Sequence, residues 1–413
     1  RLNRGRAFIT LAAYGRQNVF IKVQIGKFNR HIYPKRQQRA RLNGFQTAGK
    51  PVMLNTALSP WPSFTQEEAD AVSKVLLSNK VNYWTGTECR EFEKEFAAFA
   101  GTQYAVALSN GTLALDVALK AMGIGAGDDV IVTSRTFLAS ASCIVTAGAN
   151  PVFADVDLNS QNISAETIKA VLTPNTKAII VVRLAGMPVE MDDIMALAKE
   201  HNLWVIEDCA QAHGAKYKGK SVGSIGHVGA WSFCQDKIMT TGGEGGMVTT
   251  NDKELWSKMW SYKDHGKSYD AVYHREHAPG FRWLHESFGT NWRMMEMQAV
   301  IGRIQLKRMP EWTARRQAHA AKLAESLGKF KSIRLIEVAD YIEHAQYKFY
   351  AFVKPEHLKE GWTRDRIVNE LNARKVPCYQ GSCSEVYLEK AFDNTPWRPK
   401  ERLKNAVELG DTS

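Results

Sequence analysis

Ala178-Ile-Ile-Val-Val-Arg-Leu-Ala-Gly-Met-Pro-Val-Glu-Met-Asp-Asp-Ile-Met-Ala-Leu-Ala-Lys-Glu-His-Asn-Leu-Trp-Val-Ile-Glu-Asp208 is one cycle of an alternation that runs through the middle of the chain. The apolar run 178–182 is too short for a helix. Met191 to His201 has helical spacing, and Leu203 to Asp208 is a second apolar run. Upstream, Ala105-Val-Ala-Leu108, Asp129-Val-Ile-Val-Thr133 and Pro151-Val-Phe-Ala-Asp155 predict strands. Between them Leu113 to Met122, Phe137 to Gly148 and Ser164 to Val171 predict helices. Strands separated by helices of roughly ten residues predict an α/β fold with a mostly parallel sheet covered by helices on both faces. Ligands of such sheets sit beyond the carboxyl ends of the strands, so strand ends are the places to search for chemistry.

Before this region, Ser63 and Thr65 are possible caps for a helix carrying Ala71, Val72, Val75 and Leu76 at helical spacing. Glu88 to Ala100 predicts another, with Phe92, Phe96 and Phe99 on a core stripe. After it, Glu254 to Tyr262 predicts a helix, and Lys263 to Thr290 a long loop. Met294 to Arg308 predicts a strong helix broken at Pro310, with another from Arg315 to Leu327. A large domain is therefore expected over 51–309 and a smaller C-terminal α+β domain over 310–413. In the latter, Ala345 to Val353 predicts a strand and Thr363 to Arg374 a capped helix. The chain stops just after a helical pattern, and truncation of the small domain is expected.

The net charge of +11 is unevenly spread. Residues 1–50 hold 12 Lys and Arg and no acid, which leaves 42 bases against 43 acids in the rest. The basic tail is expected to be disordered or non-native sequence, with an organelle-targeting segment second and a nucleic-acid arm third. No run approaches the ~18 apolar residues of a membrane span, so no membrane partner is expected. Six scattered cysteines without C-x-x-C spacing predict no metal site; they read as buried small hydrophobes in a reducing, cytoplasmic setting.

Chemistry concentrates at four points. Ala230-Trp-Ser-Phe-Cys-Gln-Asp-Lys-Ile-Met-Thr-Thr-Gly-Gly-Glu-Gly-Gly246 places Lys237 in a glycine-flanked, otherwise uncharged setting, where an amine can form a Schiff base. Asp208 ends a strand as a carboxylate that needs a cation or protonated ring nitrogen, or else caps a helix. Ser109-Asn-Gly-Thr112 opens a helix whose first N–H groups can hold a phosphate. Phe137, past the next strand, covers a planar ring or packs in the core. An amine for an aldehyde, a carboxylate for a pyridinium, a phosphate cup and an aromatic lid together match pyridoxal 5′-phosphate.

Residues from about 51 to 413 resemble the DegT/DnrJ/StrS sugar aminotransferases, fold type I pyridoxal-phosphate enzymes. The resemblance rests on Ser109-Asn-Gly-Thr-Leu-Ala-Leu115, Val205-Ile-Glu-Asp-Cys-Ala-Gln-Ala-His-Gly214, Ser232-Phe-Cys-Gln-Asp-Lys237, Gly243-Glu-Gly-Gly246 and Gly289-Thr-Asn-Trp-Arg-Met294. It implies that Lys237 bonds the cofactor covalently, Asp208 pairs with its ring nitrogen and Gln211 reaches its phenolic oxygen. Gly111, Thr112 and Ser232 would hold the phosphate, Phe137 would stack on the ring, and Asn291 would reach the phosphate of a neighbouring subunit in a homodimer. For Arg293, substrate contact and an ion pair weigh evenly. Arg183 departs from the family, whose members usually carry histidine there.

The activity so implied is amino transfer from an amino acid, glutamate by preference, to a keto sugar, nucleotide-linked, for amino-sugar and cell-surface polysaccharide synthesis. Lys237 would serve as covalent anchor and as acid and base. Two alternatives compete: a family sugar dehydratase, which would carry histidine in place of Lys237, and a non-catalytic regulatory or scaffold protein that keeps the fold.

Overall fold

The computed structural model describes Leu54 and residues 58–413, so the expectations for the basic tail lie outside the described residues. Its centre is a seven-stranded sheet in the order β1-β9-β8-β5-β4-β2-β3. The strands are β1 (Tyr104–Leu108), β2 (Asp129–Thr133), β3 (Asn150–Ala154), β4 (Thr176–Val182), β5 (Trp204–Asp208), β8 (Val228–Ser232) and β9 (Gly246–Thr250). Between the fifth and eighth lie the short β6 (Lys216–Tyr217) and β7 (Lys220–Ser221). The pairs β8/β5, β5/β4, β4/β2 and β2/β3 are parallel, and β9 is antiparallel to both its neighbours.

Helices cover both faces because the strands are apolar on both sides. Along β2, Val130 and Val132 pack with Leu115 of α3 (Gly111–Ala121) and Ile144 of α4 (Ala139–Thr146). Ile131 between them faces the other way, onto Ile194 and Leu197 of α6 (Met191–Glu200). Each fully buried aliphatic of this kind contributes about 1.5–3 kcal/mol. At the β1 edge a third cluster joins Phe92 and Phe96 of α2 (Glu88–Ala100) to Trp231, Phe233 and Met247. The preceding helix, α1 (Gln66–Leu77), is fixed by Glu68, which accepts from the Thr65 N–H (2.6 Å) and hydroxyl (2.7 Å).

Three expectations are corrected. First, one helix, α9 (Glu296–Leu327), runs straight through Pro310. An interior proline costs roughly 3 kcal/mol, but Pro310 is exposed and α9 packs against both α1 and α2. Second, the strand expected from Ala345 reduces to β12 (Ala351–Val353), paired antiparallel with β10 (Ile333–Leu335). The first half of that run is drawn elsewhere: Ala345 N–H donates to Gly186 O (3.0 Å), Tyr347 N–H to Ala185 O (2.9 Å), and Gln346 turns at φ +53°. Third, only Cys89, Cys143 and Cys209 are buried; Cys234 and Cys378 are half-buried and Cys383 is exposed. Among the described residues no helix is long and apolar enough to cross a membrane.

The antiparallel β9 decides where chemistry can sit. Parallel neighbours need a crossover helix, whereas β8 returns directly through residues 233–245 as a hairpin. That connection lies beyond the carboxyl end of β8, beside the carboxyl end of β5, where Cys209 N–H donates to Ala230 O at 2.8 Å.

Candidate active site

The hairpin connection is tied to itself at every turn. Phe233 N–H donates to Gly245 O (2.8 Å), Gln235 N–H to Gly243 O (2.9 Å), and the Thr240 hydroxyl to Phe233 O (2.9 Å). Gly243 sits at φ +129°, a conformation essentially reserved for glycine, which accounts for one glycine of the run.

Lys237 projects from this loop with its side chain 17% exposed. The Trp61 indole N–H donates to its carbonyl (2.9 Å), and its amine lies 3.2 Å from Asp236 Oδ2 and 5.5 Å from the centre of the Tyr347 ring. Tyr347 donates its hydroxyl to the same Asp236 oxygen at 2.7 Å. The expected uncharged setting is therefore wrong, because a carboxylate stands beside the amine. Burial pushes the Asp236 carboxyl up, but the Tyr347 hydroxyl and the Lys237 charge outweigh it and hold it below its usual range.

Asp208 is buried at the end of β5 and does not cap a helix. The Ser140 hydroxyl donates to its Oδ2 (2.8 Å) and the Ala210 N–H to its Oδ1 (3.1 Å). Burial raises its proton affinity; Ser140, Ala210 and then the Lys237 charge work against that rise. A buried carboxylate with a cation nearby and spare acceptor capacity is the partner a protonated ring nitrogen requires.

Gly111 and Ser232 touch: a Cβ at 111 would lie 2.5 Å from the Ser232 Cβ. Only glycine lets the first turn of α3, with Gly111 and Thr112, close onto the end of β8. Asn110 caps that helix by accepting the Leu113 N–H at 3.0 Å. Phe137 is 73% exposed, so its core-packing alternative is not realised. Gln211 Oε1 accepts the Ala185 N–H at 2.7 Å. The loop of Asn291 and Arg293 lies along the same helix start, since Ser109 donates both its N–H (3.0 Å) and hydroxyl (3.1 Å) to Trp292 O. Asn291 is exposed, and Arg293 Nη1 pairs with the buried Asp264 at 2.7 Å. The structure thus brings Lys237 and Asp208 to one end of the sheet and Gly111 against Ser232, with Asn291 and Arg293 beside the helix start rather than at the amine.

Sequence reasoning missed Ser140, Asp236, Tyr347, Trp61 and His213. Ser140 had a signal, four residues after Thr136 on the helix that follows β2; the two hydroxyls are 2.9 Å apart. Tyr347, 111 residues beyond Asp236, had none. His213 is wholly buried between Trp231 and Phe233 with neither ring nitrogen bonded, and burial pulls its proton affinity down to about 3. His344, buried near Tyr347, is lowered to about 4 for the same reason. Below the ordinary histidine value of about 6.5 the unfolded chain takes a proton that these rings refuse, so acid favours unfolding by about 1.4 kcal/mol per pH unit for each ring. Stability measured by urea unfolding should fall from pH 6.5 towards pH 4. His213→Gln should flatten that limb, and an unchanged slope would show that His213 does not cause it.

The residues present fit pyridoxal phosphate: an amine, a buried carboxylate at the same sheet end, a glycine-opened helix start with a hydroxyl beside it, and an uncovered aromatic. Comparison with known proteins agrees. A family model described as the DegT/DnrJ/EryC1/StrS aminotransferase family matches residues 62–412. The spore coat polysaccharide biosynthesis protein SpsC of Bacillus subtilis is 39% identical over 312 residues, 75% of this chain and 78% of its own. GDP-perosamine synthase of Caulobacter vibrioides is 41% identical over 286 residues, 68% and 73% of the two chains. The X-ray structure of the aminotransferase from Psychrobacter cryohalolentis superposes with a TM-score of 0.85 at 65% identity, over 86% of this chain and 92% of that one.

Proposed function

The chain belongs to the DegT/DnrJ/EryC1/StrS aminotransferase family, and from that membership we propose that it moves an amino group from glutamate to a nucleotide-linked keto sugar, for amino-sugar and polysaccharide synthesis. The observation that carries this reading is the amine of Lys237 set at the same sheet end as the buried carboxylate of Asp208.

Pyridoxal phosphate, when bound, would supply an aldehyde that captures amines and a ring that withdraws electrons from the bond being broken. Lys237 would hold it covalently, and its amine, when free, would take up and return the proton that the transfer moves. Asp208 would face the ring nitrogen and keep it protonated, while the Ser140 hydroxyl holds Asp208 in place. Gly111, Thr112 and Ser232 would hold the phosphate against the start of α3. Phe137 would cover the ring, and Gln211 would reach its phenolic oxygen. Asn291 would complete the phosphate site of a second copy in a homodimer, and Arg293 orders that loop through Asp264. The small domain begins within α9 and contributes Tyr347.

Because donor and acceptor occupy the site in turn, initial rates at several fixed keto-sugar concentrations should give parallel double-reciprocal lines. Nucleotide-linked keto sugars are screened with glutamate while 2-oxoglutarate is followed. No amine transfer from any donor to any of them would reject the reading in favour of a non-catalytic protein.

A further inference from the structure

The lysine's immediate neighbour in sequence is built into the site in a way that no part of the proposed reaction uses. Asp236 Oδ2 receives the Tyr347 hydroxyl at 2.7 Å and stands 3.2 Å from the Lys237 amine. The Tyr347 ring covers that amine at 5.5 Å from its centre. Tyr347 is not a loose side chain that drifted into contact, since its own N–H is bonded to Ala185 O at 2.9 Å. Asp236, with 57% of its side chain exposed, is therefore fixed from the side opposite the chain that carries it. The other charged groups around this point are distributed unevenly. Asp208 and His213 lie on the inner side and feel the Lys237 charge. Arg316 faces Tyr347, with its guanidinium 5.8 Å from the Trp61 ring, and Lys348 lies 5.4 Å from the Tyr347 ring. Cys234, paired with Glu244, lies further along the loop. Among the described residues Asp236 is the one carboxylate within 4 Å of the amine.

Lysine has a flexible four-carbon stem whose rotamer freedom amounts to about 2 kcal/mol. A free amine that must accept a proton at one carbon and give it to another has to be found at the same point both times. A fixed carboxylate on the outer side, with a ring face beside it, defines that point. We propose that Asp236, held by Tyr347, is a positioning residue that parks the Lys237 ammonium whenever the amine is not covalently engaged. The inference rests on the aminotransferase reading for its purpose, but the geometry it invokes is that of the amine alone.

The test uses the full chain stripped of cofactor and, separately, the cofactor-loaded enzyme. In the stripped protein, an amine-reactive reagent applied near neutral pH, with Lys237 labelling located by mass spectrometry, should modify Asp236→Asn about fivefold faster than wild type. Asp236→Glu, which keeps the charge, should label close to wild type. In the loaded enzyme, Asp236→Asn and Tyr347→Phe should each slow kcat about tenfold in both half-reactions while KM for donor and keto sugar holds. A side chain needed only for folding would lower thermal stability without speeding the labelling. Equal labelling rates in wild type and Asp236→Asn would overturn the proposal, as would wild-type kcat in Tyr347→Phe. Tyr347→Phe removes a single hydroxyl and carries the test if the asparagine protein fails to fold. Absence of amine transfer in wild type would sink the aminotransferase reading instead, and the labelling comparison would still decide where the amine rests.

Discussion

Lys237→Ala protein is expected to lose amine transfer by about ten-thousand-fold or more, and to lose the absorption band of the lysine-bound cofactor altogether. The size follows from two roles ending together. On the proposed reading the amine is the covalent anchor, and proton transfers of this kind are commonly worth about 10²- to 10⁴-fold on their own. The fold should survive, because what the loop needs from residue 237 is its backbone: its N–H donates to Cys234 O (3.0 Å), and its carbonyl receives the Trp61 indole. Alanine supplies both groups, so thermal unfolding of the variant should stay within a few degrees of wild type. A second amine on the Tyr347 ring is that of Lys348, which is exposed and comes from a different segment. A persistent band in Lys237→Ala that disappears in a Lys348→Ala double variant would transfer the anchor to that residue. A persistent band in both would remove the Schiff-base chemistry from this site.

The sheet was legible because its strands are short uniform apolar runs between helical patterns, and Val130, Ile131 and Val132 can be assigned to faces by counting. Lys237, Asp208 and Gly111 were legible for a related reason: each lies within a few residues of a strand end, and local pattern fixes strand ends. What stayed hidden depends on distance along the chain or on a competition that pattern cannot weigh. Ala345 to Val353 has the composition of a strand, yet its first residues pair instead with the carbonyls of Ala185 and Gly186. That choice delivers Tyr347 to the lysine. Pro310 reads locally as a helix end, and only the packing of α9 on α1 and α2 overrides it. Asp236 was in plain view as a residue, but whether an acid beside a lysine points to it or to solvent is set by Tyr347.

Glu207→Ala is expected to cost about 3–5 kcal/mol of stability, because it would leave Arg183 charged and alone in the interior. The two side chains are wholly buried and ion-paired on the face of the sheet opposite Asp208. Neighbours in a strand point to opposite faces, so Ile206-Glu-Asp208 sends Asp208 to the side of the candidate site and Glu207 to the frame. Glu207 does more than neutralise Arg183: it accepts the N–H groups of Gly223 (2.9 Å), Ile225 (2.8 Å) and Gly226 (2.6 Å), which fixes the turn that leads into β8. Arg183 offers less in return, for its Nε and Nη1 have no partner. An order of effects follows. Arg183→Leu should cost less than Glu207→Ala, since the carboxylate keeps its three backbone donors, and the double variant should be more stable than Glu207→Ala alone. Urea unfolding at neutral pH measures all three, with m held constant as the sign that only the native state changed. Because β8 carries Ser232 and the lysine loop at its far end, Glu207→Ala should also bind cofactor more weakly than Arg183→Leu does. A loss below about 1 kcal/mol in Glu207→Ala, with cofactor binding intact, would mean that water reaches the pair and that the entry to β8 is held by its neighbours in the sheet.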